Sequence, residues 1–103
     1  MPVSITSAAI KNTTASGLSV KWDGGQFIMI ITDKGLISCG IIDKDVVARV
    51  GYAAAIAYGS PEKQLVTVED LLGATISEVT VKAKELGVAP GMSGREALEK
   101  LSG

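Results

Sequence analysis

Residues 5–42 carry the pattern that most narrows the fold, short apolar segments punctuated by glycine-bearing turn signals. Leu18, Val20 and Trp22 alternate with Ser19, Lys21 and Asp23, the period of a half-buried strand. Gly24-Gly25 follows and supplies the positive φ angles of a tight hairpin. Residues 27–31 form a continuous apolar run, and residues 36–42, with Ser38 among them, follow as another apolar run. Between them Asp33-Lys34-Gly35 is a second hairpin signal, with Gly35 at the left-handed position. Unbroken runs suit strands covered on both faces. Residues 5–11 open the series, and the turn-rich segment 12–17 joins them to Leu18. The expectation is an antiparallel meander of about four strands with a buried middle.

Helical signals dominate the rest. Asp43 reads as an N-cap with Asp45 in the first turn, where the helix dipole favours negative charge. Val46, Val50, Ala53, Ala54 and Ala57 would share one face of an Ala-rich helix ending near Tyr58, stopped by Gly59 and Ser60-Pro61. Its small side chains would let it pack closely on the sheet or on a symmetry mate. Residues 64–67 read as a short extra strand, and Thr67 opens a brief helix that stops at Gly73. Thr75-Ile76-Ser77-Glu78 has capping-box spacing. The helix it would start turns Ile76, Val79, Ala83 and Leu86 to one side and ends at Gly87. A last helix opens at Ser93, with Ala97, Leu98 and Leu101 inward. Strands first and helices second define an α+β class. Residues 1–103 form a single domain: an N-terminal antiparallel β-meander covered by a central Ala-rich helix and C-terminal helices.

Composition bounds the function. The chain is 47% hydrophobic, yet one of this length buries only about two-thirds of its unfolded surface. A homo-oligomer is expected, its interface covering the surplus; an Ala- and Gly-rich monomer is the alternative. Ten basic and eleven acidic residues are spread evenly, for a net charge of −1. A nucleic-acid footprint needs a clustered basic face, so no nucleic-acid partner is expected. The near-apolar stretch 46–58 contains Arg49 and is too short to span a bilayer. Cys39 is the one cysteine and there is no histidine. An intrachain disulfide and a Cys-His pair are thereby excluded, and a zinc site or other metal or cofactor is not expected. Met-Pro-Val-Ser-Ile-Thr at the start lacks the form of a signal peptide. The expectation is a soluble cytoplasmic protein.

One segment near the C-terminus has the makings of a site. Ser93 and Glu96 have capping-box spacing, Gly91 and Gly94 flank the cap, and Arg95 lies in the first turn. Backbone N–H groups, a hydroxyl and a guanidinium at one helix start suit phosphate or carboxylate. Gly91, Ser93, Gly94 and Arg95 are therefore candidate ligands for a small anion or a partner's carboxylate. The bland reading is a capped helix on a glycine turn, with Arg95 paired to a local acid. Cys39 is a candidate nucleophile or a buried small hydrophobe. Asp43 with Asp45 could hold a hard cation, or simply cap a helix. An alternative to the binding module is a small enzyme in which Cys39, Asp43 and Arg95 meet at a subunit boundary.

Cys39-Gly40 with Asp43, followed by Gly91-Met92-Ser93-Gly94-Arg95-Glu96-Ala97-Leu98, marks a resemblance. With Leu71, Leu72, Ile76 and Val79 between them, this order resembles the YunC-like family, small bacterial and archaeal proteins grouped as a domain of unknown function. The resemblance covers nearly the whole chain. It implies a compact α+β domain and transfers no catalytic residue.

Overall fold

The computed structural model describes residues 3–60 and 62–102. Pro61, half of the expected Ser60-Pro61 stop, and the Met1-Pro2 start lie outside the described residues. The class is α+β, on a six-stranded sheet whose spatial order follows the chain. Strands β1 (Ser4–Ala9), β2 (Ser16–Trp22), β3 (Gly25–Ile31) and β4 (Leu36–Ser38) form the expected antiparallel meander. Helix α1 (Lys44–Arg49) then crosses to β5 (Ala54–Ala57), which lies parallel to β4. Helix α2 (Val68–Leu72) leads to β6 (Ile76–Val79), antiparallel to β5, and helices α3 (Val81–Glu85) and α4 (Gly94–Leu101) complete the chain.

The turns revise the sequence reading in detail. Gly24 takes a φ of +98°, whereas Gly25 already belongs to β3. A side chain at Gly25 would strike the Trp22 indole. Gly35 is not left-handed; it is glycine because the Ala53 carbonyl passes where a Cβ would stand.

The Ala-rich helix is replaced by a short helix and a strand. Asp43 caps α1 as expected, its Oδ1 accepting the N–H groups of Asp45 at 2.9 Å and Val46 at 3.4 Å. The helix stops at Val50, and Gly51 takes a φ of +83°. Residues 54–57 then enter the sheet between β4 and β6 with every residue buried. A short apolar run fits a central strand as well as a helix, and alanine is small enough to be covered on both faces. Ala55 faces the main core, while Ala54, Ile56 and Val47 are buried outside that cluster, with α1 packed on β5. Gly59 therefore ends no helix; the chain folds back so that the Lys63 carbonyl lies 3.1 Å from where its Cβ would be. Residues 64–67 form no strand.

The capping box at Thr75 is also overturned, because Ser77 and Glu78 lie in β6. Ala55 pairs with Val79, Ile56 with Glu78 and Ala57 with Ile76, so Ser77 is an extra residue on β6. Such a bulge puts residues three apart on one face. Ile76 and Val79 thus both reach the core and imitate helical spacing. The cap of α3 is Thr80 instead. Its buried Oγ1 accepts the Ala54 N–H at 3.0 Å, donates to the Tyr52 carbonyl at 2.9 Å and accepts the Ala83 N–H at 3.4 Å.

The core lies on one face of the sheet. Ile28, Ile30 and Ile37 point into it against Leu71 and Leu72 of α2 and Ala97, Leu98 and Leu101 of α4.

Candidate functional site

The segment from Gly87 to α4 folds as a strap along the outer edge of β6. Gly87 leaves α3 with a φ of +98°, and Gly91 turns with a φ of +97°. The Gly91 N–H donates to the Ile76 carbonyl at 2.8 Å, and the Ile76 N–H donates to the Met92 carbonyl at 2.7 Å. Thr75 and Ser93 form an isolated antiparallel bridge. The Gly94 N–H then donates to the Ala74 carbonyl at 2.8 Å. The strap satisfies backbone groups that the last strand of the sheet would otherwise leave open.

At the start of α4 the expected capping box is present. Ser93 Oγ accepts the Glu96 N–H and Glu96 Oε1 accepts the Ser93 N–H, both at 3.1 Å. Gly94 is buried, and its missing side chain admits the Leu71 carbonyl. The glycines that suggested a ligand thus have causes within the fold. In the first turn only the Arg95 N–H lacks a hydrogen-bond partner among the described residues. The Arg95 side chain lies 3.6 Å from Glu69 of α2, with both groups largely exposed. Surface pairs of this kind contribute about 0–1 kcal/mol.

Cys39 and Asp43 lie apart from this turn. The Cys39 N–H donates to the Ile28 carbonyl at 3.2 Å, and the residue packs half-buried on the core. It borders a shallow recess with Gln26, Gly59 and Gln64. Asp43 borders a different recess of about 420 Å³ with Gly40, Asp45, Tyr58 and Glu78. Arg95 lines neither. Among the described residues no three acidic or thiol side chains are grouped to hold a metal ion. The second recess holds a pair that sequence reasoning missed. The Tyr58 hydroxyl donates to Glu78 Oε1 at 2.6 Å, and that bond holds the phenol above its usual pKa. Gly40 makes room for the Tyr58 ring. Nothing local in the sequence links these residues, since the sheet brings β5 and β6 together.

One face of the sheet is bare over its first strands. Cross-strand partners point to the same side, so Ile5, Val20 and Phe27 form one row. Leu18 and Met29 form the next, followed by Ile31 and Leu36. This side is opposite to Ile28, Ile30 and Ile37, against which α2 and α4 pack. Ile5 is 67% exposed, Ile31 45% and Trp22 41%. Leu18, Val20, Phe27, Met29 and Leu36 are half-buried. Trp22 stands edge-on to Phe27, their ring centroids 6.3 Å apart. Of the two strands expected to be covered on both faces, β3 is thus covered on one, whereas β4 buries Ile37 on the core side and Ser38 on the other. The residues of β1, β2 and β3 on this side include no charged group.

These features define a small α+β domain whose mixed sheet is strapped along one edge and uncovered over its first three strands. The chain belongs to the family described as Domain of unknown function (DUF1805), which matches residues 38–101. It is 33% identical over 103 residues to the Uncharacterized protein YunC of Bacillus subtilis (strain 168), covering 96% of this chain and 97% of that relative. Its fold is similar to the crystal structure of a protein of unknown function, TA1206, from Thermoplasma acidophilum. The TM-score is 0.81 at 24% identity, over 97% of this chain and 93% of the other. No helix among the described residues is long and apolar enough to cross a membrane.

Proposed function

We propose that the chain is a non-catalytic module that works as a homo-oligomer, with another copy covering the open face of β1, β2 and β3. The uncharged apolar rows on that face carry the reading. Contiguous apolar surface of this kind marks association sites, and homo-oligomers are the common way to cover it. Cys39 and Asp43 lining separate recesses, with Arg95 in neither, supports the non-catalytic half. The anion expected at Gly91, Ser93, Gly94 and Arg95 draws less support, since the Gly94 and Glu96 N–H groups and the Ser93 hydroxyl already have protein partners.

The test is light scattering coupled to size-exclusion chromatography on the wild type and on Phe27→Lys. Phe27 is half-buried on the open face, so the substitution places a charge in the middle of the interface. The expected outcome is a wild-type oligomer and a folded variant of monomer mass. A wild type that runs as a monomer at micromolar concentration would overturn the proposal.

A further inference from the structure

We draw no further inference here: the strongest candidate, the recess at the carboxyl ends of β4 and β5 where Asp43 and Asp45 meet Tyr58 and Glu78, is a cluster of acidic side chains with no buried, unpartnered polar group among the described residues to point to a ligand.

Discussion

At Gly94 two general effects oppose each other, and their magnitudes decide the outcome. Glycine inside a helix costs about 1 kcal/mol relative to alanine, so propensity alone favours Gly94→Ala. The new Cβ, however, would collide with the Leu71 carbonyl and stand 3.0 Å from the Leu72 Cα. These are backbone atoms of α2 and cannot rotate away. Overpacking of this kind costs about 1–3 kcal/mol, so α4 must shift off α2. Gly94→Ala should lower stability by up to about 2 kcal/mol, the larger effect less the smaller, read as a lower urea midpoint. A midpoint at or above wild type would show that the two helices have slack. The sequence marks Gly94 as unusual, because glycine is a poor choice in a first helical turn. It does not name the crowding atom, which arrives from another helix. Gly35 teaches the same lesson: a hairpin motif explains a glycine that is in fact set by the Ala53 carbonyl.

Among the elements, the capped helix starts are the most legible. Asp43, Thr67 and Ser93 all cap where local spacing places them, because a cap is a contact over three residues. Asp70 completes the box at α2, its Oδ2 accepting the N–H groups of Thr67 at 3.0 Å and Val66 at 3.1 Å. Those bonds, the Thr67 N–H first, hold its carboxyl below the usual value. A depressed pKa contributes stability that is complete above the unfolded value, about 3.9, and is lost as pH falls through the folded one. The stability gap between wild type and Asp70→Asn should therefore be widest near neutrality and close in acid. Urea midpoints measured across that range check it, and a gap independent of pH would remove the carboxylate from the account. The strands β5 and β6 were illegible for two physical reasons. An alanine run has no period to distinguish a buried strand from a helix, and the Ser77 bulge gives β6 the spacing of a helical face. Both are settled by pairing between distant segments.

For the whole molecule, hydropathy alone signals a surplus of apolar surface, and the mean is positive. It does not say where the surplus lies. The register of β1, β2 and β3 collects part of it on one side, which the placement of α2 and α4 leaves open, while Ile41, Val46, Val50 and Tyr52 are exposed elsewhere. The candidate turn at Gly91 is legible as a special segment, but its work as a strap depends on β6, which local patterns misassign. That strap has a consequence for growth. At the other end of the sheet β1 has only β2 beside it; a sheet with one open border can accept a neighbour at that border alone, whereas a sheet with two can add subunits without end. Gly91→Pro removes the N–H that reaches Ile76 and cannot take a φ of +97°. Non-closing contacts of this kind produce fibres. Solutions of Gly91→Pro should become turbid and bind thioflavin T with time while the wild type stays clear. The last turn of the chain would then act as the stop that keeps a finite particle from becoming a filament.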